Sequence, residues 1–165
     1  MEKVIQVDIE KCVGCRTCEE ACSLKNTGKS HLTRSRIRVV SYEKRGEFHN
    51  FVPMVCQQCS TPLCMEACPV VAISKNPETG AMIVNEDKCV GCRVCTVACP
   101  IGGVSMDPVT NVALKCDLCN GDPECVKYCE PKAIEYVSRD KLDIKNKRAK
   151  SKKFSELFTL MQAIR

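Results

Sequence analysis

Tryptophan is absent from this 165-residue chain, aromatic residues make up only 4% of it, and histidine occurs twice. A conventional core therefore has few large side chains to draw on, and part of the stability must come from something other than packing, which bound metal can supply. No apolar run approaches the length of a bilayer span. The N-terminal stretch MEKVIQVDIEK is charged and has neither an apolar signal region nor a twin arginine, so the expected compartment is the cytoplasm. There is no Gly-rich phosphate loop, no pair of carboxylates at a cysteine-free site and no nucleophile beside a base, so a non-catalytic role is expected.

What is abundant is cysteine, at sixteen residues. A disulfide scaffold would need a secreted context. Structural zinc uses paired C-x₂-C units, usually with a long gap between pairs. Neither pattern describes four runs of four cysteines. The most specific run is Lys88–Pro100, KCVGCRVCTVACP, in which Cys89, Cys92, Cys95 and Cys99 fall at C-x₂-C-x₂-C-x₃-C with Pro100 after the last. Three closely spaced thiolates of such a run hold one cubane [4Fe–4S] cluster, and the fourth ligates a different one. A partner run is thus required, and the chain supplies three: Cys12, Cys15, Cys18 and Cys22; Cys56, Cys59, Cys64 and Cys68; Cys116, Cys119, Cys125 and Cys129.

EKCVGCRTCEEAC (10–22) nearly repeats DKCVGCRVCTVAC (87–99), which argues for duplication of a module. The second and third runs both end in Cys-Pro, whereas the first and fourth are followed by Ser23 and Glu130. Pairing second with third and first with fourth, the crossing rule yields four sets. These are Cys12, Cys15, Cys18 with Cys129; Cys116, Cys119, Cys125 with Cys22; Cys56, Cys59, Cys64 with Cys99; and Cys89, Cys92, Cys95 with Cys68. No cysteine is left over. The cofactors expected are four [4Fe–4S] clusters.

The fold class expected is α+β: two ferredoxin-like 2[4Fe–4S] modules, pseudo-twofold, built of short hairpins and short helices. The outer module takes residues 1–49 with 107–138, and the inner module residues 50–106. Short strands are expected at 4–8, 37–42, 71–73, 81–84, 104–106, 112–114 and 133–137, with turns at 44–47, 76–80 and 107–111. A helix from Arg16 to Lys25 would put Cys18 and Cys22 on one face. Val13, Leu63, Val90, Val94, Val97, Ile101 and Val126 are expected to shield the clusters from water. The basic loop 23–50 is a docking surface or a solvated loop, and His31 and His49 are read as solvent or structural groups rather than ligands.

Residues 139–153 carry eight Lys or Arg, and Phe154, Leu157, Phe158, Leu160, Met161 and Ile164 then recur at helical spacing. Residues 139–165 are thus read as a basic arm and an amphipathic helix that docks on a partner, packs on its own core or lies on a membrane surface. The formal charge of +5 argues weakly for nucleic acid. Four oxidised cubanes with their thiolates bring about −2 each, so the loaded protein is net acidic and no nucleic-acid partner is expected.

The order of the four runs, with Pro62 and Pro123 before the third cysteines of the second and fourth, resembles the four-cluster iron–sulfur subunits of molybdenum and tungsten oxidoreductases of the dimethyl-sulfoxide-reductase type. The match covers about residues 4–137. Membrane-bound members usually carry longer insertions and a C-terminal anchoring region, whereas this chain is compact. It is more similar to the small electron-transfer subunits of tungsten aldehyde oxidoreductases or class II benzoyl-CoA reductases. The resemblance implies a hetero-oligomer with a large catalytic tungsten- or molybdenum-pterin subunit, and a further flavin or ferredoxin redox partner. The alternative is a free soluble polyferredoxin.

Overall fold

The computed structural model describes residues 2–44 and 47–141. Its elements are strands β1 (Lys3–Val7), β2 (Ile37–Lys44), β3 (Glu47–Val55), β4 (Ile73–Lys75), β5 (Met82–Val84), β6 (Val104–Met106), β7 (Ala113–Lys115) and β8 (Ile134–Ser138), with helices α1 (Thr17–Thr27), α2 (Leu63–Glu66), α3 (Val94–Ala98) and α4 (Glu124–Lys127). Among the described residues the strands form four two-stranded antiparallel sheets, β1–β8, β2–β3, β4–β5 and β6–β7. This is a small mixed helix and strand fold of the ferredoxin type.

The two short hairpins are built alike. In the first, Asn76 Oδ1 accepts the amides of Glu78 at 2.8 Å and Thr79 at 3.2 Å, and Gly80 N–H closes the turn on Asn76 O at 2.9 Å. In the second, Asp107 Oδ1 accepts the amides of Val109 at 2.8 Å and Thr110 at 3.4 Å, and Asn111 N–H closes on Asp107 O at 2.9 Å. These are side-chain-to-backbone turns of the kind Asx residues favour. Each hairpin delivers the chain into a cysteine run.

Helix α1 is long where α2, α3 and α4 are a single turn. Ser23 stands where Pro69 and Pro100 follow the second and third runs, so nothing stops the helix until Gly28, which takes a left-handed φ of 69° and donates to Leu24 O. The buried Ser23 hydroxyl then ties down the next loop, bonding Lys29 O and His31 O, both at 2.9 Å. The His31 ring pairs with Thr33 Oγ1 at 2.8 Å, a local structural role as expected.

The apolar interior falls into two clusters. One gathers Ile5, Ile37, Val39, Val55, Leu118 and Ile134 with Cys18, Cys22, Cys56, Cys116, Cys125 and Cys129. The other gathers Ile73, Met82, Val104 and Ala113 with Cys64 and Cys95. Burying each of the large aliphatic residues contributes about 1.5–3 kcal/mol. The remaining interior is thiol, as expected of a chain poor in aromatics.

Three readings change. Strand β3 was not expected, yet it pairs with β2 along its length, Ile37 facing Val55 and Val39 facing Pro53. The strand expected at 71–73 begins at Ile73 instead, because Val71 takes a left-handed φ of 49°. Arg139 is not part of a free arm: it forms an ion pair with Glu2 at 3.3 Å, its amide donates to Glu2 O at 3.0 Å, and its guanidinium donates to Gln58 O. The rest of the expected arm and helix lies outside the described residues. Among those described, no helix is long and apolar enough to cross a membrane.

Candidate metal centres

None of the sixteen cysteines forms a disulfide. Their placement follows from the helices. Helix α1 carries Cys18 and Cys22 one turn apart and packs against α4, which carries Cys125 and leads into Cys129. Helix α2 carries Cys64, leads into Cys68, and packs against α3, which carries Cys95 and leads into Cys99. Each helix pair therefore brings the third and fourth cysteines of one run against those of its partner run.

Three cavities result. One is lined by Cys12, Cys15, Cys18 and Cys129. A second is lined by Cys68, Cys89, Cys92 and Cys95. A third is lined by Cys56, Cys59, Cys64 and Cys99. The remaining set, Cys22, Cys116, Cys119 and Cys125, lies deepest, with Cys22, Cys116 and Cys125 buried. Burial, and then the neighbouring Cys22 and Cys119, pushes the Cys125 thiol far above its ordinary value. Burial, followed by Glu19 and Cys15, raises Cys18 to about 12. Thiols so placed become thiolates by binding metal, and binding releases their protons.

The backbone is shaped around the sulfurs. Left-handed residues stand three positions after the last cysteine of three runs: Val71 at φ 49°, Gly102 at 63° and Lys132 at 53°. In the first two cases the turn aims the next amide back at sulfur: Ala72 N–H donates to Cys68 Sγ at 3.3 Å and Gly103 N–H to Cys99 Sγ at 3.2 Å. In the first run, where α1 continues, Arg36 N–H from the following loop donates to Cys22 Sγ at 3.3 Å instead. Gln58 N–H donates to Cys56 Sγ at 3.4 Å. Such donors favour a charged sulfur ligand and tune a bound cluster.

These features fit [4Fe–4S] cubanes. Among the described residues no three Cys, His, Asp or Glu side chains converge closely enough to hold a single metal ion. A cubane asks instead for four thiolates around a larger body, each on its own iron.

The expected shielding divides. Val13 and Val90, though each 64% exposed, line the cavities of their runs, as does Leu63, and Ile101 lines the cavity of the second run. Val97 is 87% exposed on the outer side of α3 and shields nothing. Its position one helical step from the packed face explains the difference.

Three residues were not foreseen as part of the centres. Glu19 is buried on α1 and accepts Val39 N–H at 2.5 Å. The buried Gln58 carboxamide donates to Cys116 O at 2.7 Å and accepts Met82 N–H at 2.8 Å. Lys115 is 4% exposed and its ammonium donates to Cys56 Sγ at 2.9 Å. Burial works against the charged form of Lys115, but Cys56 and Cys64 outweigh it and raise its pKa. The only sequence signal is Lys115 standing directly before Cys116.

Residues 47–139 match the 4Fe-4S dicluster domain family, and residues 9–28 match a 4Fe-4S binding domain. The chain belongs to this family of iron–sulfur proteins. Among its relatives is the polyferredoxin-like subunit of an aliphatic sulfonate oxidoreductase from Pyrococcus furiosus, 42% identical over 129 residues that cover 76% of this chain and 70% of the relative. An uncharacterized ferredoxin of Methanocaldococcus jannaschii is 38% identical over 162 residues, 98% of this chain and 85% of the relative. The beta subunit of an NADH-dependent phenylglyoxylate dehydrogenase of Aromatoleum evansii is 36% identical over 81% of this chain, which spans only 30% of that protein. Among solved structures, the active site complex BamBC of benzoyl coenzyme A reductase with benzoyl-CoA aligns over 90% of this chain and 89% of its own at 28% identity and a TM-score of 0.48.

Proposed function

We propose that this chain is the electron-transfer subunit of an oxidoreductase complex, holding four [4Fe–4S] clusters on the four cysteine sets and passing single electrons between a catalytic metal–pterin subunit and a redox partner. A cubane with four cysteine ligands, when bound, exchanges one electron and leaves no open iron for substrate.

The observation that carries this reading is the continuity of the cysteine sets. Helix α1 joins the set ending in Cys129 to the set holding Cys22, since it carries Cys18 of one and Cys22 of the other. Gln58 and Lys115 join that second set to the third, bridging Cys116 and Cys56. Helix α2 joins the third to the fourth through Cys64 and Cys68. The two end sets each keep one exposed cysteine, Cys15 and Cys92, where the other fourteen are buried or half-buried. A series with an accessible ligand at each end suits a conductor between two partners better than a store or sensor.

On this reading the outer module (1–49 with 107–138) and the inner module (50–106) are related by a pseudo-twofold. The recurrence of Arg16 and Arg93, left-handed at φ 60° and 64° before α1 and α3, supports it. The relatives that are themselves oxidoreductase subunits support a permanent catalytic partner.

Anaerobic purification of the native complex tests the proposal. Tungsten or molybdenum in a large co-purifying protein is the expected result. A fully iron-loaded chain recovered alone would favour a diffusible carrier and overturn the subunit assignment.

A further inference from the structure

The middle of the series carries a buried positive charge. Lys115 ends β7, and its ammonium reaches across to the run from the other helix pair, 2.9 Å from Cys56 Sγ. That is shorter than the backbone N–H···S contacts at Cys99, Cys22, Cys68 and Cys56, which span 3.2–3.4 Å. Charge-assisted hydrogen bonds are the short ones. Among the described residues, Lys115 is the one charged side chain that donates to a cysteine sulfur, and no carboxylate pairs with it. A buried ammonium without a counterion is strongly disfavoured, so its countercharge is the thiolate set itself.

The arrangement is one-sided. Lys115 directly precedes Cys116, and the residue directly preceding Cys56 is Val55, buried and apolar. The neighbouring set faces the Arg36–Asp117 ion pair at Cys119, whose charges offset each other, so among the described residues at these two sets the one cation without a carboxylate partner is held against the Cys56 set.

We infer that Lys115 is a positioning residue for electron transfer: it raises the reduction potential of the cluster on Cys56, Cys59, Cys64 and Cys99 above that of its neighbour on Cys22, Cys116, Cys119 and Cys125. This rests on the four-cluster reading. The couple takes up one electron and no proton, and a fixed cation stabilises the more negative, reduced form. Net charge and hydrogen bonds to sulfur are established determinants of such potentials.

The test is a redox titration of the anaerobic holoprotein followed by electron paramagnetic resonance, comparing wild type, Lys115→Met and Lys115→Arg. Lys115→Met is expected to lower one couple by at least a tenfold change in its equilibrium constant, which is about 59 mV for one electron. Lys115→Arg, which keeps the charge, is expected to keep most of the potential. Cys59→Ser identifies the couple, because it perturbs the same titration step. If Lys115→Met loses one cluster's iron while Lys115→Arg retains it, the ammonium is needed to hold that thiolate set, which also supports the inference. Unchanged couples in Lys115→Met, an equal fall of all couples, or an equal fall in Lys115→Arg overturns it. A wild-type protein without four cubane couples would instead sink the underlying reading.

Discussion

Gln58 donates its side-chain amide to the carbonyl of Cys116 at 2.7 Å, linking runs that stand 58 residues apart in the chain. Its carboxamide oxygen takes Met82 N–H at 2.8 Å, its own amide serves Cys56 Sγ, and its carbonyl receives the Arg139 guanidinium. One buried residue, held at a left-handed φ of 48°, thus ties together the second run, the fourth run, the β4–β5 hairpin and the end of β8.

Gln58→Leu keeps the volume and removes both side-chain bonds, leaving Cys116 O and Met82 N–H buried without partners. Each orphaned group costs about 1–3 kcal/mol. We expect a destabilisation of about 2–5 kcal/mol, read as a lower denaturant midpoint for cluster bleaching under anaerobic conditions. An unchanged midpoint would mean that the bridge contributes nothing.

Arg34 reaches Asp107 with Nε at 2.9 Å and Nη2 at 2.6 Å, fastening the loop after α1 to the β6–β7 turn. Burial works to raise the Asp107 pKa, but Arg34 and the turn amides outweigh it and hold the carboxyl below its ordinary value. A depressed folded pKa gives stability that is complete above the unfolded carboxylate pKa, about 3.9, and is lost as pH falls through the folded value. Asp107→Asn should therefore cost about 3 kcal/mol near neutrality, with the gap to wild type closing only in strong acid. A gap that stays constant through acid pH would show that the ionised carboxylate is not what stabilises the turn.

Gly91 has φ 68°, and a Cβ there would lie 2.6 Å from the backbone oxygen of Asn111. Backbone cannot swing aside as a side chain can, and the left-handed conformation costs an L-residue about 1–2 kcal/mol more. Gly14 has φ 73° but its Cβ would meet the Phe51 ring. Gly91→Ala is expected to lose iron from the Cys68, Cys89, Cys92 and Cys95 set, measured as iron per chain after anaerobic desalting. Gly14→Ala should retain more, and the reverse order would contradict this packing.

The cysteine runs, the two Asx-closed hairpins and α1 were legible because each is local chemistry: ligand spacing, a turn residue, a missing proline. Strand β3 was not, since His49-Asn50 and Pro53 interrupt its alternation, and only pairing with β2 makes it a strand. Pro53 is tolerated because its partner Val39 spends its own N–H on Glu19. Lys115 and Gln58 were equally hidden: their partners Cys56 and Cys116 lie 59 and 58 residues away, beyond what any local pattern encodes.

Cys99 follows α3 in its own run but lines the cavity of Cys56, Cys59 and Cys64. Cys99→Ser should accordingly shift or abolish the couple that Cys59→Ser also perturbs, and leave the couple sensitive to Cys92→Ser intact. The opposite grouping, read by spectroelectrochemistry, would break the crossed arrangement.

The most direct measurement is iron and acid-labile sulfide per chain in anaerobically purified, intact protein, with Mössbauer spectra to define the iron. The account predicts about sixteen iron atoms, all of cubane type, four to each cysteine set. About eight iron, or iron in mononuclear sites, would contradict it.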